Sequence, residues 1–163
     1  MASSSVSIAP TRNESKVSVP LWINGEQEFR QDTFDVFSPS LSSVCWTSAS
    51  ATQEDAIKAV EAAQGAFKSW SLTKPAYRAE LLLKTAAILE SNAEEYAGYM
   101  STEMGAEVRV SQFFILPLAI QMLKDISGRV SSICGSVPMC QQSGQSGMVI
   151  KEPYGVTLGI VPW

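Results

Sequence analysis

The sequence predicts an α/β fold in which short strands precede four helices, and β-type chain returns near the end. Three observations carry this reading. Turn signals and apolar alternation dominate before residue 50. Apolar residues then recur at helical spacing from about Thr52 to Ser127. After Gly128 the helical spacing stops and Gly, Ser, Val and Ile take over.

The strands come first. "VPLWINGEQEF" holds Asn24-Gly25 between apolar residues, the composition of a two-residue hairpin turn. "FDVFSP" sets Phe34 and Val36 against Asp35 and Phe37 and stops at Ser38-Pro39. "SSVCWTSAS" is the third candidate, so residues 19–47 read as short strands.

The clearest helix covers 52–70. Thr52 is a good N-cap with Asp55 three residues on, close to a capping box. Ala56, Ala59, Val60, Ala63 and Phe67 fall on one face at helical spacing. A second helix starts near Pro75, a favoured first-turn residue, and carries Leu82, Ala86 and Leu89 on one stripe. A third covers "AEEYAGYMSTEMG" and ends at Gly105. A fourth runs from about Glu107 to Ser127, with Pro117 expected to kink it.

Beyond Gly128, "RVSSICGSVPMC" and "GMVIKEP" flank the polar turn "QQSGQSG" and read as a hairpin with a long loop. "GVTLGIVPW" is apolar without alternation, the pattern of a strand buried on both faces. Such a strand has nothing to pair with here, and unpaired buried backbone groups are costly. The chain is therefore expected to be incomplete, or completed by a partner.

Composition narrows the chemistry. The 163 residues are 45% hydrophobic and 17% charged with net charge −4, a globular balance with no Lys/Arg block to attract nucleic acid or an anionic membrane. No apolar run approaches the roughly 18 residues that span a bilayer. Residues 1–18 lack the apolar core of a secretory signal and read as a disordered tail. There is no histidine, so His-based zinc sites and Ser-His-Asp or Cys-His pairs are excluded from this chain alone. Cys45, Cys134 and Cys140 form no disulfide framework. Cys45, beside Trp46, reads as a packed apolar residue. Cys134 and Cys140 flank Pro138 with only Arg129 near in sequence, too little to make a reactive thiolate. Glu94, Glu95, Glu103 and Glu107 read as solvated helix charges.

The segments "LWINGE", "FDVFSP", "EDAIKAVEAAQGAFKSW", "RAELLLKTAAILE", "EEYAGYMSTEMGA" and "KEPYGVTLGIVPW", in this order and spacing, resemble the N-terminal part of the aldehyde dehydrogenase superfamily, from about Leu21 to Trp163. "DISGRVSSICGSVPMCQ" looks most like members acting on aromatic aldehydes such as salicylaldehyde. The resemblance implies the N-terminal portion of that fold. Residues 19–128 would supply strands and helices of the cofactor-binding domain, 129–152 an oligomerisation-type hairpin, and 153–163 the first strand of a truncated Rossmann-like sheet.

It also implies sites. Ile160, Val161, Pro162 and Trp163 match a strand end that lines the nicotinamide-side ribose and phosphates of NAD or NADP. For binding by this chain alone a simple buried strand is the preferred reading, because a dinucleotide site needs strand, turn and helix together. Phe114 and Leu118, with Phe113 and Met122, lie on a helix that lines part of the aldehyde tunnel in the family, although a core stripe is the preferred reading. The family's oxyanion-hole Asn, ribose-binding Lys and Glu, Gly-rich loop, Glu base and Cys nucleophile would all lie beyond Trp163. This chain alone is thus expected to have no catalytic residue and to be inactive. The complete form would be a cytoplasmic enzyme that oxidises an aldehyde through a Cys thiohemiacetal, with an arm near Ile133–Lys151 that adds strands to a neighbouring subunit. The alternative is a non-catalytic interaction protein that pairs with a full-length relative through its hairpin. Neither reading involves nucleic acid or a membrane.

Overall fold

A computed structural model describes residues 18–161. The tail expected over 1–18 therefore falls outside the described residues except for Ser18, and so do Pro162 and Trp163.

Five short strands open the fold: β1 (Ser18–Val19), β2 (Leu21–Ile23), β3 (Glu26–Glu28), β4 (Thr33–Ser38) and β5 (Ser43–Ala49). β2 and β3 pair antiparallel, with Trp22 opposite Gln27. Their turn has φ of 56° at Asn24 and 80° at Gly25, the positive pair that a right-twisted two-residue hairpin demands. β5 lies between β1, which runs parallel to it, and β4, which runs antiparallel. The β4–β5 register slips after Val36, where Trp46 faces Val36 but Val44 faces Phe37. Cys45 is the extra residue of that bulge. It is half-buried, and its Sγ donates to the Val36 carbonyl at 3.2 Å, a polar contact beyond the apolar packing expected of it.

The helices follow: α1 (Gln53–Trp70), α2 (Pro75–Ser91) and α3 (Ala93–Met104). The N-terminus of α1 is a full capping box. The Asp55 N–H donates to Thr52 Oγ1 at 3.2 Å, and the Thr52 N–H donates back to Asp55 Oδ2 at 2.9 Å. Arg78 closes the α1–α2 corner. It donates to the Trp70 carbonyl at 3.1 Å and to Thr73 Oγ1 at 2.8 Å, and its guanidinium lies 5.5 Å from the Trp70 ring centre. Gly105, at φ 73°, ends α3 in the left-handed conformation.

The fourth helix departs from a simple kink. It is a single turn, α4 (Val108–Val110), then a π turn over Ser111–Ile115, then α5 (Leu116–Arg129). Pro117 lacks the N–H that an α-helix would direct at the Phe113 carbonyl, and its ring crowds that carbonyl. The wider π turn, in which the Leu116 N–H reaches Ser111 O, relieves the crowding. Ser111 Oγ is enclosed there without a hydrogen-bond partner.

The apolar core described is small: Ile23, Ala49, Ala86, Ala97, Leu116 and Ile120. It sits mainly where α2 packs on α5. On α2 the expected stripe holds, with Ala86 buried and Leu82 and Leu89 half-buried. On α1 the face is partly covered: Ala63 and Phe67 are half-buried, and Ala56, Ala59 and Val60 are exposed. The core-stripe reading of Phe113, Phe114, Leu118 and Met122 fails in this chain. All four are exposed, and α5 buries Leu116, Ile120 and Ser127 instead.

The hairpin begins later than residue 129, because α5 runs to Arg129 and a 3-10 turn follows at Val130–Ser132. Only two isolated antiparallel bridges, Ser136 to Val149 and Met139 to Ser146, tie its arms. The strand expected over 153–163 is not formed within 153–161. A strand exists only through its neighbours' hydrogen bonds, and no neighbour is present among the described residues.

Candidate functional site

The sequence placed cofactor contacts at the end of the chain and an aldehyde wall on α5. Ile160 and Val161 are 86% and 87% exposed. They lie in a ribbon, residues 150–161, that forms no backbone hydrogen bond among the described residues. Pro162 and Trp163 lie outside those residues. Phe114, in the π turn, and Leu118, in the first turn of α5, are both exposed. They stand four residues apart and present an open apolar surface, not a closed tunnel.

Two hollows occur where the sequence reading had no candidate. One, about 470 Å³, lies between the hairpin arms and is lined by Ile133, Gly135, Val137, Met148, Ile150 and Lys151 among others. The other, about 220 Å³, lies between the β2–β3 hairpin and α1, walled by Trp22, Ile23 and the alanines of α1. Neither contains a predicted site residue. The second is a product of packing between segments distant in the chain, so no local motif could have signalled it.

The most organised polar group is a charge clasp joining β3 to α1. Arg30 Nε donates to Asp55 Oδ2 at 3.1 Å, and its Nη2 donates to Glu28 Oε2 at 2.6 Å and to Asp55 Oδ1. Lys58 pairs with the other Glu28 oxygen. The Arg30 guanidinium, and then the Thr52 backbone N–H, hold the Asp55 carboxyl well below the usual carboxylate range. Lys58, then Arg30, hold Glu28 down in the same way. Arg30 is pushed up in turn, chiefly by Asp55. Every charge in the clasp has a partner, so none is poised as an acid or base. Its work is to dock the hairpin on the helix N-terminus.

A second bridge ties β5 to α3. Trp46 Nε1 donates to Glu103 Oε1 at 2.8 Å, and the Trp46 ring meets Tyr99 edge-on at 6.1 Å between centres. Tyr99 OH donates to Glu95 at 2.6 Å, which with its partial burial raises the phenol's pKa. Glu95 and Glu103 are exposed, as the solvated reading expects, and each also accepts one side-chain hydrogen bond. Cys134 is exposed and Cys140 half-buried, each as a free thiol. Among the described residues no group of His, Cys, Asp and Glu could hold a metal ion, and no helix is long and apolar enough to cross a membrane.

Comparison with known proteins places this architecture. The profile of the aldehyde dehydrogenase family matches residues 22–163. A salicylaldehyde dehydrogenase of Pseudomonas putida is 34% identical over 142 residues, covering 87% of this chain and 29% of the relative. A vanillin dehydrogenase of Pseudomonas sp. (strain HR199 / DSM 7063) is 37% identical over 147 residues, covering 89% of this chain and 30% of the relative. Among solved structures, a salicylaldehyde dehydrogenase from Pseudomonas putida G7 complexed with salicylaldehyde superposes with a TM-score of 0.77 at 30% identity. That superposition covers 83% of this chain and 28% of the other. An indole-3-acetaldehyde dehydrogenase of P. syringae, in complex with NAD+, superposes at 0.75 and 32% identity, covering 82% of this chain and 28% of that one. The chain thus spans less than a third of the length of these relatives and corresponds to an N-terminal portion of their fold. With a family match over nearly its whole length and the same backbone arrangement, the chain belongs to the aldehyde dehydrogenase family.

Proposed function

We propose that this chain is the N-terminal portion of an NAD(P)-dependent aldehyde dehydrogenase whose complete form oxidises an aromatic aldehyde to the carboxylic acid. The observation that carries the reading is the family match over residues 22–163, joined to relatives named for salicylaldehyde and vanillin. In the complete enzyme a Cys thiolate would add to the carbonyl with donors holding the oxyanion, NAD(P) would supply the hydride acceptor, and water activated by a carboxylate would release the acid from the thioester. The part of this chain is to shape and support. Phe114 and Leu118 offer apolar surface to an aromatic ring, and Ile160, Val161, Pro162 and Trp163 are the proposed cofactor contacts of the complete enzyme. The hairpin of Ile133–Lys151 is the candidate oligomer arm, and the cytoplasm is the proposed location.

The residues present do not make a dinucleotide site by themselves. Such a site needs a strand, a tight turn and a helix N-terminus together. Among the described residues, 155–161 supply an unpaired ribbon with no cation within it. No chemical step is assigned to this chain alone, and isolated residues 1–163 are expected to turn over no aldehyde.

The test is to read the transcript through the Trp163 codon and assay the encoded product. A frame that continues with Asn and supplies a Cys and a Glu in the family pattern, with reduction of NAD+ or NADP+ on salicylaldehyde, supports the proposal. A continued product that contains these residues but oxidises no aromatic aldehyde refutes the substrate class. A stop codon after Trp163 refutes the enzyme reading for this gene product.

A further inference from the structure

Ser111 and α5 stand in a register that an unbroken α-helix could not give. Ser111 is wholly buried, and Leu116 and Ile120 nearly so, all by elements of this chain. At about 100° per residue, an α-helix that covers Ser111 also covers Leu118 and Met122, which lie within about 20° of it around the axis. It turns Leu116 and Ile120 about 140–180° away. The structure does the reverse: Leu116 and Ile120 are covered, and Leu118 and Met122 are open.

The π turn over Ser111–Ile115 makes the difference. The Leu116 N–H reaches back five residues to Ser111 O, so Leu116 takes the place one turn above Ser111 that Ile115 would hold in an α-helix. One residue is thereby inserted into the helical frame. Neighbours fix both sides of the insertion. α3 packs on α4 and on the π turn. α2 packs on α5, and Lys124 Nζ donates to Glu90 Oε2 at 3.0 Å across that contact. Pro117 stands where an α-helix needs an N–H for the Phe113 carbonyl, so it bars the frame from closing. Insertions of this kind are frequent at functional sites.

We infer that Pro117 is a positioning residue for the aldehyde. By enforcing the π turn it holds Leu118, with Phe114 and Met122, on the open side of the helix while Ser111, Leu116 and Ile120 face the interior. This rests on the aromatic-aldehyde reading above and adds the residue that turns the apolar surface toward the substrate.

The experiment places a cysteine at one covered position on each side of the insertion, Ser111→Cys or Ile120→Cys, in the full chain. Maleimide labelling is read peptide by peptide by mass spectrometry, which separates these thiols from the native ones. Both are expected to resist labelling. Pro117→Ala lets the helix close as α, and at least one of the two should then label at least tenfold faster. Deleting Gln112 as well removes the extra residue, sets Leu116 four residues after Ser111, and should restore protection at both. Unchanged labelling in Pro117→Ala overturns the inference. So does failure of the Gln112 deletion to restore protection, including the case where Pro117→Ala alone does not fold. In the complete enzyme, Pro117→Ala should raise KM for salicylaldehyde at least tenfold with kcat changed less than threefold, and the deletion should reverse this. A labelling shift without a change in KM upholds the register and overturns the reading of Phe114 and Leu118 as an aldehyde wall.

Discussion

Gly135 lies directly beneath the carbonyl of Val149: a Cβ added to Gly135 would sit 2.0 Å from that oxygen. The next residue makes one of the hairpin's two bridges, with the Ser136 N–H donating to Val149 O at 3.1 Å and the Val149 N–H donating back at 2.8 Å. Only glycine lets the two backbones come this close. Gly135→Ala is expected to push the arms apart, destabilising the hairpin by about 1–3 kcal/mol, the usual range for overpacking. Faster amide exchange at Ser136 and Val149 checks it, and unchanged exchange would show that the arms are held elsewhere.

The α1 cap supplies a local test. Thr52→Ala removes the side-chain acceptor of the Asp55 N–H and should cost about 1 kcal/mol. Urea melts read by circular dichroism would register the loss. A shift near zero would mean that the Asp55 side chain caps α1 alone.

The clasp predicts acid sensitivity with a definite sign. Asp55 is held below its ordinary value by Arg30 and then the Thr52 N–H, and Glu28 by Lys58 and then Arg30. A depressed carboxyl contributes stability that is fully present above its unfolded pKa, about 4, and is lost as pH falls below that value. Docking of the β2–β3 hairpin on α1 should therefore weaken below about pH 4, and Asp55→Asn should reduce stability at pH 7 and flatten that acid dependence. Trp22 fluorescence followed against pH is the readout. An Asp55→Asn variant with the same acid profile would count against the clasp.

Gly105 is constrained twice. Its φ of 73° is left-handed, and a Cβ there would meet the Pro39 ring at 3.2 Å. Gly105→Ala should destabilise by about 1–2 kcal/mol from the backbone conformation alone. The effect should be seen as loosened packing of the β4–β5 turn, where Ser40 Oγ donates to the Ser101 carbonyl at 3.0 Å. Exchange rates of the last turn of α3 decide it.

Ser111 gives the opposite sign. Its hydroxyl is enclosed without a partner, a burden of about 1–3 kcal/mol for a buried polar group left unpaired. Ser111→Ala removes that group with little change of volume and should be neutral or stabilising. A clear loss of stability in chemical denaturation would show that the hydroxyl finds a partner in solution.

These cases also show what could be read in advance. Asn24-Gly25 announced its turn, Thr52 and Asp55 their cap, and Pro75 and Gly105 the start and stop of their helices. Each of these depends on dihedral preferences and hydrogen bonds within about four residues. The Pro117 disturbance was legible as well, but its form as a π turn over Ser111–Ile115 was not, because periodicity alone does not say how a crowded turn relaxes. The α1 residues were legible as a face, but not which of them are covered, because burial needs an opposing surface: Ala63 and Phe67 are half-buried while Ala56, Ala59 and Val60 are exposed. For the candidate site, the sequence named Phe114, Leu118, Ile160 and Val161 as candidates but gave neither their exposure nor the hollow between β2–β3 and α1.

The sequence by itself therefore determined the order of strands and helices, their caps and turns, and the resemblance to the aldehyde dehydrogenase family. Only the tertiary structure decided which apolar faces are covered, where Arg30 and Trp46 find their partners, and that residues 153–161 stand without a sheet. Caps and turns are made by neighbours in the chain, whereas burial and strand pairing are made by neighbours in space.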